Sequence, residues 1–582
     1  MSAIKAALGQ VPVDLLVTNV RVVNVYSGEI IPAEIAIYGE RVVAVEPPGS
    51  APRRQAHRTL NGRGQLAVPG LVDSHLHIES TLVTPGPFAE AVLCRGTTTV
   101  AEDPHEVANA TGLDGVRIFY EASQGLPLHI LFLVSTCVPA AAGLEHCQGT
   151  LGPREVAEML AWQGVIGLAE VMDARAVVDE EPRMSEVLEA GRLSGGVIEG
   201  HNPMLDGREL MAYIAAGVNS DHTLATPERL LMKLRLGVTI QLQERYMTEA
   251  VIAALTGLPL PPATLCLVTD DVAPDALEAY GHLDQVLRRA IALGLPPMQA
   301  LQAATINPAR RLRLYDRGAI APGRRADIVL VDDLETFRVS TTISDGRIVV
   351  EEGRTTWNVP ARPGLDALRG SLHLAPLARD DFLPELPLRD GEVRARVILA
   401  HGQGTTTAAG STTLRVVNGE PQLDGRPDLA LIAVIARGNV SRFVGFVQGL
   451  GLQRGAVATT HAHDSHNLCI IGRDRESMAG AANAVIAADG GIAVAVGETV
   501  PALVPLPIAG IISDAPVPAV AAQMRRLTDV LASLGVRHPH LLMRLSTFTL
   551  PVSSGLRITD QGYVLAERRA HVSLVEPQSP HT

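Results

Sequence analysis

Several things are scarce in this chain, and each scarcity narrows what it can be. Cysteine is one: Cys94, Cys137, Cys147, Cys266 and Cys469 are five in 582 residues, odd in number and without a C-x-x-C pair. That pattern argues against a disulfide framework and fits buried apolar thiols in a reducing cytoplasm. Basic charge is short, with 49 Lys+Arg against 62 Asp+Glu and a net charge of −13. Neither nucleic acid nor an anionic membrane is expected as a partner. No run of about 20 apolar residues is free of charges or turn residues, so no membrane span is expected. The start Met-Ser-Ala-Ile-Lys lacks the apolar stretch of an export signal. A G-x-G-x-x-G turn is missing after the first strand, which weakens an open nucleotide-binding sheet as the fold.

What is present is a well-packed acidic protein, 47% hydrophobic and too long for one core, so two or three domains are expected. Residues 13 to 46 alternate apolar and polar positions and break at Ser27-Gly28 and Gly39-Glu40, a pattern of short strands with tight turns. The same character returns around Ala326–Val331 and Gly346–Val350. Between them eight candidate strands can be placed: Val68–Ile78, Thr97–Asp103, His129–Thr136, Val165–Val171, Gly196–His201, Val218–His222, Val238–Gln243 and Ala263–Asp270. Helical segments such as Pro85–Leu93 and Leu277–Leu293 follow most of them. This rhythm over about 250 residues is that of a (β/α)8 barrel. The expected fold class is α/β: a TIM-type barrel (68–317) inserted in a small split β-sandwich (1–67 and 318–360), with a C-terminal α+β domain (364–582) whose tail, 577–582, is loose.

The chemistry is expected at the C-terminal ends of the strands. His75 and His77 stand two apart, so on a strand both imidazoles share a face. Later ends add Asp103 with His105 and Glu106, then Glu170, His201, His222 and the pair Asp270-Asp271. Four histidines and two carboxylates are hard to explain by packing, because burying them unpaired costs several kcal/mol. Six ligands suit two adjacent divalent ions. His75, His77 and Asp270 are expected on one ion, His201 and His222 on the other, and Glu170 as the bridge. Such ions share a hydroxide that is available at neutral pH. A neighbouring carboxylate then moves the proton: Asp270, with Asp271 as its rival.

These residues resemble the amidohydrolase superfamily, through Pro69-Gly-Leu-Val-Asp-Ser-His-Leu-His-Ile-Glu-Ser80, and within it the adenine deaminase family. The likeness runs through Gly96-Thr-Thr-Thr-Val100, Asp103-Pro-His-Glu-Val-Ala-Asn109, Ala169-Glu-Val-Met172, Gly200-His-Asn202 and Ala304-Thr-Ile-Asn-Pro-Ala309. It continues through Ala462-His-Asp-Ser-His-Asn467 and Leu506-Pro-Ile-Ala-Gly510, so it covers nearly the whole chain. The resemblance implies hydrolysis of adenine to hypoxanthine and ammonia, with two divalent ions, manganese or iron(II) or else zinc. It also implies a glutamate on the fourth strand in place of a carboxylated lysine. A purine is the implied substrate and a homo-oligomer the expected assembly. The alternative is hydrolysis of another aminopurine or of a cyclic amide or ureide on the same two-metal scaffold. The chain departs from the family at Val272-Ala-Pro274, where Arg-His-Pro is usual, and at His461, where an apolar residue is usual. His461, His463, Asp464 and His466 are read either as a closure of the active site, as a further metal site, or as a hydrogen-bonded turn.

Overall fold

The computed structural model describes residues 2–50, 54–223, 226–400, 406–423 and 425–576. The tail 577–582 lies outside them. The two alternating segments pair in one nine-stranded sheet. Val13–Asn24, Glu29–Tyr38, Arg41–Glu46, Ala56–Asn61 and Leu66–Pro69 come from the first. Ile328–Val331, Val339–Ser344, Arg347–Glu351 and Arg354–Thr355 come from the second. The two meet where Leu66–Pro69 runs antiparallel to Ile328–Val331, with Val68 opposite Val329. The period-2 pattern does its expected work: Val20 and Val22 are buried while Arg21 between them is exposed.

Between these segments the strands are parallel and alternate with helices. Leu71–Leu76, Thr97–Glu102, His129–Val134, Val165–Val171 and Val197–Gly200 form one sheet. Ser220–Asp221, Thr239–Leu242 and Leu265–Leu267 form another. The layer curls until its ends approach: Leu76 bridges Asp270 in parallel, and the Asp270 N–H donates to the His75 carbonyl at 3.2 Å. At the other seam the Gly200 N–H donates to the Ser220 hydroxyl at 3.0 Å. The strands are buried on both faces, as covered parallel strands are.

Three sequence expectations are corrected. The segment Val68–Ile78 is two strands, because the chain crosses from one sheet to the other at Gly70. A Cβ there would stand 2.1 Å from Thr98 Oγ1, so only glycine permits the close approach. The expected helix Leu277–Leu293 is two, Pro274–Tyr280 and Leu283–Ala292, broken at Gly281 with φ 113°. A helical segment, His105–Ser123, kinked at Gly112 with φ 70°, begins directly past the second strand end, where only a cluster of polar residues was read.

The C-terminal region builds a second nine-stranded sheet from strands between 391 and 505, with Leu429–Ile435, Leu468–Gly472 and Ala456–Thr459 at its centre. Helices Arg475–Ala487 and Val517–Ser533 cover it with Ala481, Ala482, Val485, Val520, Met524 and Leu527. A small sheet, Leu556–Thr559, Gly562–Leu565 and Ala570–Val572, follows. This region is joined to the parallel strands. Thr84 N–H donates to the Ser513 carbonyl and Ser513 N–H to the Leu82 carbonyl, both at 2.9 Å. The apolar core is continuous from Phe88 and Phe119 to Phe446 and Ile470. Burial of this kind, at about 25 cal/mol per Å² of apolar surface, is the main force that fixes the polar ends of the strands in place.

Candidate metal centre

The strand ends converge as their alternation requires. His75 and His77 project from the first parallel strand, Glu170 from the fourth, and His201 and His222 from the fifth and sixth ends. Asp270 follows the eighth. Asp270 Oδ1 lies 3.3 Å from His75 Nε2 and 3.4 Å from His77 Nε2. Glu170 spans the other side, with Oε1 3.6 Å from His77 Nε2 and Oε2 2.5 Å from His201 Nδ1 and 3.2 Å from His222 Nε2. The His75 and His222 rings stack with centroids 4.1 Å apart. The backbone of Asp270 is left-handed, φ 59°, a conformation that aspartate tolerates better than most residues. It turns the carboxylate back over the imidazoles.

Burial grades across the cluster. The side chains of His75, His77, His222 and Glu170 are at most 4% exposed, whereas His201 is 26% exposed, so the group opens to solvent on the His201 side. Burial would push the Glu170 carboxyl up, but the imidazoles of His201 and His222 hold it well below the usual range. Asp270 is likewise held low against its burial by His222, His75, His77 and Arg245. Burial would lower His77, but Asp270, Asp271 and Glu170 raise it well above the ordinary histidine value. The site is strongly polarised, and its anions stay ionised.

The donor set fits divalent cations. Neither ring nitrogen of His75 makes a hydrogen bond, although the residue is fully buried. His77 is oriented by a bond from Nδ1–H to the Asp103 carbonyl at 3.0 Å, which leaves the Nε2 lone pair facing Glu170 and Asp270. Ligand atoms of His75, His77 and Asp270 lie within 4.8 Å of one another, and so do those of His75, Glu170 and His222. Imidazole and carboxylate together suit manganese, iron and zinc.

The remaining expected residues stand around this group. Asp103 accepts from the Ser135 hydroxyl at 2.6 Å and lies 3.3 Å from His105 Nδ1. His105 packs its ring 4.5 Å from that of His77, and its Nε2 is 3.8 Å from Asp464. Asp271, the rival of Asp270, stands beside it: it accepts from the Ser80 hydroxyl at 2.6 Å and pairs with Arg245 at 3.2 Å. Ser80 Oγ also lies 2.9 Å from Glu106 Oε1. His466 stands apart, its Nδ1 accepting from the Ala462 N–H at 3.2 Å. Asp221 turns away from the cluster and is paired with the buried ammonium of Lys233.

Arg245 was missed by sequence reasoning. It lies 3.2 Å from Asp270 Oδ2 and 3.2 Å from Asp271 Oδ2, and so ties the two aspartates together. Its signal was its place in Gln243-Glu-Arg-Tyr246, directly past the seventh strand, where the strand-end rule applies.

The family model described as "Amidohydrolase family" matches residues 66–349, and "Adenine deaminase C-terminal domain" matches 404–570. Adenine deaminase 2 of Rhizobium meliloti (strain 1021) is 40% identical over 580 residues, covering 96% of this chain and 94% of that one. Adenine deaminase of Serratia proteamaculans (strain 568) is 39% identical, with coverage of 96% and 94%. Adenine deaminase of Moorella thermoacetica is 38% identical, with coverage of 96% and 95%. Likeness at this level, from the strand-end histidines through the C-terminal sheet, places the chain in the adenine deaminase family of amidohydrolases.

Proposed function

We propose that this protein hydrolyses adenine to hypoxanthine and ammonia at the cluster of His75, His77, Glu170, His201, His222 and Asp270. The observation that carries the reading is the convergence of four imidazoles and two carboxylates in one group that is buried except at His201. His75, His77 and Asp270 would hold one divalent ion and His201 and His222 a second, with Glu170 between them. Manganese or iron(II) is the proposed metal, with zinc the third choice. Bound there, the ions would supply Lewis acidity and make a water nucleophilic at neutral pH.

The residues themselves do the rest. Asp270 takes the proton from the water that adds to C6 of the ring and hands it to the exocyclic amine, so that ammonia leaves from a tetrahedral carbon. Arg245 holds the Asp270 carboxylate ionised and aimed. Glu170, fixed by His201 and His222, keeps the histidines in register. Asp103 orients His77 through its carbonyl. Asp271, His105, Glu106, His463, Asp464 and His466 are the proposed substrate-binding or accessory residues.

The same reading carries an architecture. We assign a (β/α)8 barrel to 68–317, a split β-sandwich to 1–67 and 318–360, and an α+β domain to 364–582. The single sheet shared by the two outer segments supports it. A cytoplasmic location is proposed because the five cysteines are unpaired; no helix of the described residues is long and apolar enough to cross a membrane. A homo-oligomer is proposed because Tyr26, Ile30 and Ile31 on one hairpin are exposed apolar surface of the kind that association covers. The test is ammonia release from adenine by metal-loaded protein, alongside other aminopurines and cyclic ureides. Turnover of those compounds without turnover of adenine would overturn the assignment.

A further inference from the structure

A second group of metal-ligating side chains lies where the turn after Ala456–Thr459 meets the start of helix His105–Ser123. We propose that Glu106, His461 and His463 form an additional divalent-cation site, separate from the six-residue cluster and built jointly by the parallel-strand region and the C-terminal region. Glu106 Oε2 is 3.6 Å from His461 Nδ1, and Glu106 Oε1 is 3.8 Å from His463 Nδ1. These separations exceed those of a hydrogen bond. They approach the spacing of two donors on one ion: bonds of about 2.0–2.1 Å in a tetrahedral site put neighbouring ligand atoms roughly 3.4 Å apart. The ligand atoms of all three residues lie within 4.8 Å of one another.

Unmet polar demand points the same way. The side chains of His461 and Glu106 are fully buried and that of His463 is 6% exposed. Both ring nitrogens of His461 and Glu106 Oε2 have no hydrogen-bond partner, while His463 Nδ1, the nitrogen that faces Glu106, also lies 3.5 Å from Asp464. Groups of this kind are costly to bury unless something binds them. Glu106 Oε1 lies 2.9 Å from Ser80 Oγ, whereas Oε2 has no partner at hydrogen-bond distance, and it is the oxygen that faces His461.

The donors are also held in place. His461 N–H donates to Thr459 Oγ1 at 3.0 Å, and the Thr459 hydroxyl donates to the His461 carbonyl at 3.1 Å. His463 N–H donates to the Ser546 carbonyl at 3.0 Å, and its own carbonyl accepts from the Thr549 hydroxyl at 2.7 Å. Two imidazoles and one carboxylate select an ion of the zinc or cobalt class over calcium or magnesium, and leave one position open.

Zinc is the probe. Crystals of the full chain grown with Zn(II) should give an anomalous peak at the zinc edge within bonding distance of Glu106, His461 and His463, distinct from any peak at His75, His77 and Asp270. No peak there, with the six-residue cluster filled, overturns the proposal, and this measurement needs no variant. In parallel, His461→Leu should bind one equivalent of zinc fewer than the wild type after dialysis, and an unchanged stoichiometry in the folded variant overturns it. The difference of one equivalent stands whatever the six-residue cluster holds, so failure of this site and failure of the deaminase reading are separable.

Discussion

Replacing Asp270 by asparagine tests the proton transfer directly. Asparagine suits the site sterically: it keeps an oxygen towards His75 and His77, which lie 3.3 and 3.4 Å from Oδ1, and it tolerates the left-handed backbone at φ 59°. Alanine would add strain and remove a ligand at once, and would confound the result. What asparagine removes is the base. The worth of a positioned acid–base group is roughly 10²–10⁴ in kcat, or about 3–5 kcal/mol of transition-state stabilisation. Arg245 loses one carboxylate charge but keeps Asp271 at 3.2 Å, so it is not stranded in the site. Most of the bound metal should therefore remain. The assay is steady-state ammonia release from adenine, with metal content measured on the same preparation. Asp271→Asn provides the control: Asp271 touches Ser80 and Arg245 and neither His75 nor His77, so its loss should cost less. A crippled Asp271→Asn beside an active Asp270→Asn would refute the assignment and move the proton shuttle one residue along.

Exhaustive chelation should abolish turnover and lower the thermal midpoint, both reversed by Mn(II), since an ion held at about 1,000 times its Kd adds about 4 kcal/mol of stability. Full activity after chelation would refute the metal reading. Gly200→Ala should cost roughly 10²-fold in kcat and reduce metal occupancy, because its Cβ would stand 2.3 Å from the Ser220 carbonyl and displace the adjoining His201. Wild-type kinetics in that variant would show that the seam yields. His129 sits 3.3 Å from Asp345 and 3.8 Å from Asp327, across the contact between the parallel strands and the first mixed sheet. Burial would lower its pKa, but the two carboxylates raise it above 6.5. Its contribution is then complete below pH 6.5 and is lost as pH rises through the folded value. His129→Gln should accordingly lower the thermal midpoint more at pH 6 than at pH 9, and equal effects at both would refute the ion pair.

The six ligand candidates were legible because each closes an apolar parallel strand. At such a position a histidine or carboxylate is buried by the strand's own register, and convergence follows from the parallel arrangement. Glu170 stood out for that reason, alone in Val-Ile-Gly-Leu-Ala-Glu-Val. Gly70 was not legible as a crossing point: apolar residues on both sides hid the change of sheet, and only the nearness of Thr98 reveals it. Gly281 was hidden in the same way inside a helical period. The contact of Asp271 with Arg245 was not legible, because period-2 alternation no longer applies once φ turns positive at Asp270. The contact of Glu106 with His461 and His463 was beyond reach, since periodicity reports which face a residue occupies and not what a distant turn brings to it.

The bridge between Leu76 and Asp270 sets a timetable for synthesis. Residues that meet in the polar cluster leave the ribosome at opposite ends of the parallel-strand region, and Asp270 reaches His75 and His77 only after every strand between them has been made. At about 5–20 residues per second, the first histidines wait on the order of ten seconds or more for their carboxylate. Until then His75 and His77 have only the earlier residues of the cluster, Glu170, His201 and His222, to meet. A ribosome that stalls before Asp270 therefore leaves a chain, less than half of the 582 residues, in which His75 and His77 lack that carboxylate.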